Sequence, residues 1–274
     1  MASLVTFNQI LPQARNDLRS VGAFNAANLE TVLSIFRAAV RENSPVIIQV
    51  YQRLFNDERA SLIAAMTERL AAEADIPIAL HLDHGESLDQ VRKAISVGYT
   101  SVMFDGSKYP LEKNIALTAE AATIAHDAGV TIEGEIGHVP FGDDTPELSR
   151  AEEAVEFIDK TGVDVLAVSV GTAHGFYKCE PALDIKRLRE ISQCVSQPLV
   201  LHGGTGVPVD QLKLAIGCGV AKINIATELQ SFFLCGVAAE IKKNGEAFKP
   251  VDLYFKPVEE KLTDYIAAKI RSFS

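Results

Sequence analysis

Eight short apolar runs recur along the chain: SVGAFN (20–25), SPVIIQV (44–50), IPIALHL (76–82), TSVMFD (100–105), GVTIEGE (129–135), VDVLAVSV (163–170), QPLVLHG (197–203) and VAKINIA (220–226). Their apolarity is continuous rather than alternating, which suits strands covered on both faces, as in a parallel sheet. Between them lie helical patterns over 28–43, 57–74, 86–97, 111–128, 149–161, 184–195, 209–218 and 227–243. Ser87 and Asp210 stand where helix caps are expected. Gly98, Gly129, Gly162 and Gly219 each fall between a helix and the next strand, where a left-handed stop belongs. Eight β-then-α units without a break in composition predict an α/β protein: a single (β/α)8 TIM barrel over residues 1–274, with an extra C-terminal helix over 257–271. A doubly wound sheet competes less well, given the unit count and the lack of GxGxxG after the first strand.

Composition narrows the class of partner. A 47% hydrophobic content supplies ample core, and a formal net charge of −10 argues against nucleic-acid binding, which needs clustered Lys and Arg. Cys179, Cys194, Cys218 and Cys235 show no CxxC pairing, which points to a reduced, cytoplasmic chain. No signal peptide is evident in MASLVTFNQILPQARNDL, and no apolar run approaches the ~20 residues that span a bilayer. The expectation is a soluble protein with no membrane partner.

In such a barrel the chemistry gathers at the C-terminal ends of the strands. The first strand ends at Asn25, the third at His81, Asp83 and His84, and the fourth at Asp105 and Ser107. The fifth carries Glu133 and Glu135, the sixth leads to His174, the seventh to His202, and the eighth to Asn224 and Thr227. A lone histidine in an apolar run is ordinarily a satisfied core residue. That explanation strains when His84, His174 and His202 occupy matching ends of three strands. Three imidazoles with an open fourth position are a common catalytic zinc arrangement. Asp105 and Glu133 either orient those ligands from behind or offer an alternative metal position. Each reads equally as half of an ion pair inside the barrel. His126, within a helix, reads as structural or solvated.

A second cluster is rich in glycine. LHGGTGVP follows the seventh strand and INIATE closes the eighth, and the loops after these two strands commonly bind phosphate through backbone N–H groups. Gly203 and Gly204 admit an anion to the backbone, and Thr205 and Thr227 add hydroxyl donors. Metal beside phosphate suggests polarisation of a sugar-phosphate carbonyl, with Asp83 moving a proton. A lysine Schiff base is the other route to such chemistry. Lys222 is nearest, but it precedes the apolar part of the eighth strand rather than ending it.

With these residues in hand, the chain resembles the class II, zinc-dependent fructose/tagatose-bisphosphate aldolase family. The resemblance runs from VGAFNAANLE (21–30) through HLDHG, SVMFDGS, IEGEIG, VSVGTAHGFY and LVLHGGTGVP to KINIATEL, in order and with matching spacing. It implies Zn2+ at His84, His174 and His202 and Asp83 as the acid–base at the aldol C4 hydroxyl. It implies that dihydroxyacetone phosphate is held by Gly175, Gly203, Gly204, Thr205 and the segment Asn224, Ile225, Ala226, Thr227. It also implies a monovalent cation (Na+ or K+) near the phosphate and assembly as a homodimer or homotetramer.

The departures concern the other half of the substrate. The loop after the fifth strand, GHVPFGDDTPELSR, is short, and Asp143 stands where a catalytic glutamate is expected. Where relatives have a small hydroxyl residue after the second strand, this chain reads QVYQRLF, with Tyr51 and Arg53. SKYP (107–110) replaces an SHHP-like tetrapeptide, and Lys256 stands near the position of a phosphate-binding arginine. The expected activity is reversible cleavage of a ketose 1-phosphate, such as fructose or tagatose 1,6-bisphosphate. Alternatives are 6-phospho-5-dehydro-2-deoxy-gluconate as substrate, a metal-dependent sugar-phosphate isomerase or epimerase, and a noncatalytic sugar-phosphate-binding partner.

Overall fold

Each apolar run folds as a strand, and the eight strands close on themselves in chain order. A computed structural model describes residues 4–140, 146–245 and 247–274. The strands are β1 (Val21–Asn25), β2 (Val46–Tyr51), β3 (Ile78–Gly85), β4 (Ser101–Phe104), β5 (Thr131–Ile136), β6 (Val165–Val168), β7 (Leu199–Leu201) and β8 (Val220–Ile225). All neighbours are parallel, and β8 pairs back onto β1 with Ala23 opposite Asn224. The crossovers are α2 (Leu29–Arg41), α3 (Arg59–Ala71), α4 (Leu88–Ser96), α5 (Leu111–Asp127), α6 (Ala151–Thr161), α7 (Ile185–Cys194), α8 (Val209–Ile216) and α9 (Thr227–Asn244). This is the predicted TIM-barrel architecture.

Local signals hold with small corrections. Ser87 Oγ accepts from Gln90 N at 3.2 Å and so caps α4. Asp210 is not a cap: α8 is preceded by Pro208, and Asp210 lies in its first turn, where a negative charge complements the helix dipole. The four glycines between helix and strand all take positive φ. The extra helix, α10 (Val251–Ser272), begins before the expected residue 257 and runs through Pro257. Leu253 and Tyr254 bond back to the Pro250 carbonyl, so the first turn forms ahead of the internal proline. Val258, Leu262, Ile266 and Ile270 bury one face of α10. Arg37–Glu259 and Arg41–Asp264, both at 2.6 Å, rim its contact with α2.

An element the sequence pattern did not reveal closes the barrel floor. Phe7–Gln9 forms a turn of 3-10 helix, and α1 (Leu11–Asn16) follows it. Both are too short to show periodicity. Val5 N bonds to Ile78 O at 2.9 Å and Phe7 N to Thr131 Oγ1 at 3.1 Å, which seats Phe7 in the opening.

Above this plug the interior changes character by layers. The lowest layer is apolar, with Ala23, Ile47, Ala79, Val165 and Val200 packed on Phe7 and Leu11. The next holds Gln49, His81, Ser101, Glu133, His202 and Lys222, all fully buried. The strands' outward residues form the main core with the helices, which is why the runs read as continuously apolar. Among the described residues no helix is long and apolar enough to cross a membrane.

Phe7→Ala should lower stability by about 3–5 kcal/mol, because it empties a fully packed aromatic site beneath the polar layer. Urea unfolding should show an earlier midpoint with an unchanged slope; an unchanged midpoint would mean that Phe7 does not plug the barrel.

Candidate active site

Side chains alternate along a strand, so adjacent residues normally face opposite ways. Asp83 and His84 escape this rule. The register between β3 and β4 shifts between Leu82 and Gly85, and His84 takes a left-handed φ of +54°. Gly85 allows the close approach that follows, since a Cβ there would lie 2.5 Å from Met103 O. Both side chains therefore enter the mouth of the barrel.

Three imidazoles converge there. The ring centroids of His84 lie 5.0 Å from those of His174 and 4.7 Å from those of His202. One nitrogen from each lies within 4.8 Å of the others, a spacing suited to one metal ion. His84 turns its other nitrogen, Nδ1, to Asp105 Oδ2 at 2.8 Å. His202 turns Nε2 to Glu133 Oε1 at 2.8 Å and leaves Nδ1 3.1 Å from His84 Nε2. His174 is fixed through its backbone, with N–H donating to Pro140 O at 2.7 Å. Tyr177 braces the same loop: its hydroxyl accepts from Ala173 N at 2.9 Å and donates to Gly203 O at 2.8 Å.

The second acid group differs from the expected one. His84, Asp105 and Glu135 also bring ligand atoms within 4.8 Å of one another. Glu133 does not join them, because its carboxylate lies one layer down and bridges His202 to Lys222 Nζ, the latter at 2.8 Å. Lys222 is accordingly held inside the barrel rather than at its mouth. His81 bonds Ser101 Oγ through Nδ1 at 2.9 Å and stays below the imidazole cluster. His126 pairs with Asp164 at 3.0 Å on the outer surface, far from this centre.

Asp83 is almost fully buried, with one carboxylate oxygen 3.9 Å from His84 Nε2. Asn25 Nδ2 donates to Oδ2 at 2.7 Å and Asn224 Nδ2 to Oδ1 at 3.4 Å. Gln49, which the sequence reading passed over, donates to Asn25 Oδ1 at 2.6 Å. Its signal was a polar residue at an inward position of VIIQVY. Asp143 lies outside the described residues.

One cavity joins Asp83, His84 and His174 to Gly175, Gly203, Thr205, Ala226 and Thr227. Gly203 has φ +65°, and a Cβ there would sit 2.4 Å from Ala173 O, so no larger residue fits. Gly204 and Ile225 are not in the cavity. Gly204 spends its N–H on Asn224 O at 3.1 Å, and Ile225 packs outward in the main core. Thr205 Oγ1 accepts from Glu228 N at 3.3 Å and so ties this loop to the first turn of α9. A helix N-terminus beside glycine backbone favours an anion. Tyr51 lines the opposite side, with Arg53 Cζ 4.4 Å from its ring centroid.

Electrostatics follow from burial and these contacts. Burial opposes a charge on His84, but Asp83 and Asp105 outweigh it and push His84 up to about 10 in the metal-free chain. Burial, with His84 and His202 nearby, brings His174 down to about 3. Burial, then Asp105, pushes Glu135 up to about 8. Burial would also raise Asp105, yet hydrogen bonds from His84 and Ser107 hold it well below the usual carboxylate range. The carboxylates around His84 thus favour its protonated form.

Residues 5–274 match the family model described as "Fructose-bisphosphate aldolase class-II". The chain is 38% identical to a sulfofructosephosphate aldolase of Alkalicoccus urumqiensis, over 96% of this chain and 94% of that protein. It is 37% identical to a probable fructose-bisphosphate aldolase of Bacillus subtilis (98% and 97%). It is 36% identical to a 6-phospho-5-dehydro-2-deoxy-D-gluconate aldolase of Bacillus velezensis (99% and 96%). Among solved structures, the YdjI aldolase of Escherichia coli K12 superposes with a TM-score of 0.88 at 30% identity, covering 99% of this chain and 97% of that one.

Two outcomes are expected. His174→Ala should remove both the equimolar divalent ion, read by elemental analysis, and catalysis; retained activity without metal would refute the three-imidazole site. The pH response has a definite sign. His84 is raised from 6.5 to about 10 and Glu135 from 4.5 to about 8, so each stabilises the metal-free fold at low pH. The His84 contribution is full below pH 6.5 and lost as pH rises through 10; that of Glu135 is full below 4.5 and lost through 8. The Tm of the metal-free protein should fall between pH 6.5 and 10, most steeply below 8, where both contributions decline. A flat or rising Tm in thermal melts would contradict these shifts.

Proposed function

The chain belongs to the class II fructose-bisphosphate aldolase family, metal-dependent aldehyde-lyases, and from that premise we propose that it reversibly cleaves a ketose 1-phosphate to dihydroxyacetone phosphate and an aldehyde. A ketose 1,6-bisphosphate such as fructose or tagatose 1,6-bisphosphate is the first candidate substrate. The observation that carries this reading is a single cavity shared by three imidazoles, a buried carboxylate and a glycine-lined helix N-terminus. Membership in a family of carbon–carbon lyases leaves the isomerase and noncatalytic readings without support.

His84, His174 and His202 fit a divalent ion by donor type and spacing, and we assign Zn2+ from the three-nitrogen set. When bound, such an ion supplies Lewis acidity, polarising a carbonyl and favouring negative charge on adjacent oxygens. Asp83 takes the C4 hydroxyl proton as the C3–C4 bond breaks. Asn25 and Asn224 donate to its two oxygens and aim the carboxylate at the substrate. The C1 phosphate is received between Gly203 and the first turn of α9. Asp143, on the loop after β5, is our candidate for returning a proton to C3.

A second reading concerns the aldehyde half. Tyr51 lines the cavity together with Asp83, and Arg53 sets a cation 4.4 Å from the centre of the Tyr51 ring. Lys108 is instead drawn to Glu86 at 3.8 Å. This arrangement favours an anionic aldehyde end. Relatives named for a sulfofructose phosphate and a phospho-deoxy-gluconate are compatible with carboxylate or sulfonate in place of phosphate.

A homodimer or larger homo-oligomer completes the proposal. α9 exposes Leu234 and Ile241, and Phe248 and Val251 lie exposed nearby. The acids of α9 are turned away, Glu228 to Lys269 at 2.9 Å and Glu240 to Lys249 at 3.6 Å. An apolar face of this extent suits a second copy of the chain.

The test is a panel of ketose phosphates given to zinc-loaded protein, with and without chelator, reading dihydroxyacetone phosphate release. Fructose and tagatose 1,6-bisphosphates, a ketose 1-phosphate and the deoxy-gluconate phosphate belong in it. Chelator-sensitive release is expected and identifies the aldehyde. No release from any member by zinc-loaded protein would overturn the proposal.

A further inference from the structure

Lys222 is fully buried in β8, where an unpaired ammonium is strongly disfavoured. Its Nζ donates to Glu133 Oε2 at 2.8 Å, and the other oxygen of that carboxylate accepts from His202 Nε2 at 2.8 Å. The remaining nitrogen of His202, Nδ1, points into the imidazole cluster, 3.1 Å from His84 Nε2. A neutral imidazole has one N–H and one lone pair. With the hydrogen on Nε2, the lone pair on Nδ1 is available to a cation. With the hydrogen on Nδ1, that donor is lost.

Glu135 Oε2 stands 3.5 Å from Nδ1, farther than the 2.8 Å between Glu133 Oε1 and Nε2, so what Glu133 offers at Oε1 decides between these forms. Lysine has donors and no acceptor, so the carboxylate facing it can only accept. Pinned through Oε2, Glu133 presents Oε1 to His202 as an acceptor in a fixed direction. His81 does not compete for this carboxylate, since its Nε2 lies 3.6 Å from Oε2 and Ser101 holds its Nδ1. Lys222 is also not placed to attack a substrate, because it does not line the cavity.

We propose that Lys222, acting through Glu133, is a positioning residue that fixes His202 in the tautomer and orientation able to bind the metal. This rests on the reading of His84, His174 and His202 as the metal set. On this account a buried charge pair a layer below the mouth serves the metal site rather than the barrel alone.

Cobalt(II) provides the test, because its d–d absorption reports the donors and their geometry, while competition with a chelator gives affinity. The unaltered protein comes first: failure to bind Co2+ with nitrogen-donor bands would refute the metal set itself, whatever Lys222 does. Lys222→Met should weaken Co2+ binding about 10- to 100-fold and shift the bands. Glu133→Gln should do the same, because its amide must offer oxygen to Lys222 and so turns its NH2 toward His202. In the Glu133→Gln/Lys222→Met double variant the lysine no longer competes. The amide oxygen can then face His202, so the bands and most of the affinity should return although both charges are gone. A merely structural charge pair would restore thermal stability in the double variant but leave the Co2+ bands of each folded single variant unshifted. Wild-type affinity and bands in a folded Lys222→Met would overturn the proposal, as would a double variant no better than Glu133→Gln. The latter comparison decides the question even where Lys222→Met alone does not fold.

Discussion

A regular β3 would send Asp83 and His84 to opposite faces, one into the barrel and one toward the helices. The bulge against β4 and the left-handed turn at His84 bring both into the mouth. A non-glycine residue at positive φ costs about 1–3 kcal/mol, so the surrounding structure must hold it there. Asp105 does so from one side through His84 Nδ1, and Gly85 permits the close approach to β4 from the other. The spacing between the Asp83 carboxylate and the His84 imidazole, and hence the geometry of the candidate site, descends from this turn.

The barrel interior shows how such a site is supported. A TIM barrel can fill its centre with branched aliphatics. Here only the lowest layer does, over the Phe7 plug. The layers above carry a lysine, carboxylates, histidines and amides in a connected set of hydrogen bonds. Most polar groups are paired, as burial requires. Those without a hydrogen-bond partner among the described residues include Gln49 Oε1 and Asn224 Oδ1 beside the cavity and Glu135 Oε2 in the second acid group.

The mouth is asymmetric. Its β7–β8 side is built from backbone and glycine, rigidly braced by Tyr177 and Thr205. Gly203 tolerates no Cβ there, so this half has little freedom to vary. The β2 side is built instead from a side chain, Tyr51, with Arg53 against its ring.

Periodicity alone determined the eight strands, their order and the crossover helices, because burial on both faces writes itself as continuous apolar runs. The short plug at Phe7–Asn16 and the early start of α10 were illegible: two turns of helix carry no period, and a proline within a helical pattern, as at Pro257, ordinarily marks a boundary. Residue type at strand ends marked Asp83, His84, His174 and His202 as candidates, since imidazoles and a carboxylate are able to ligate a metal or move a proton at a barrel mouth. Which nitrogen each imidazole offers, why Glu135 rather than Glu133 joins Asp105, and why Gly204 and Ile225 turn away were decided by tertiary structure. Those outcomes depend on one-residue shifts in register and on contacts across the barrel, such as Lys222 to Glu133, which lie 89 residues apart in the chain. A strand's composition cannot encode its neighbour's register, so the layer a side chain reaches is settled only when the barrel closes.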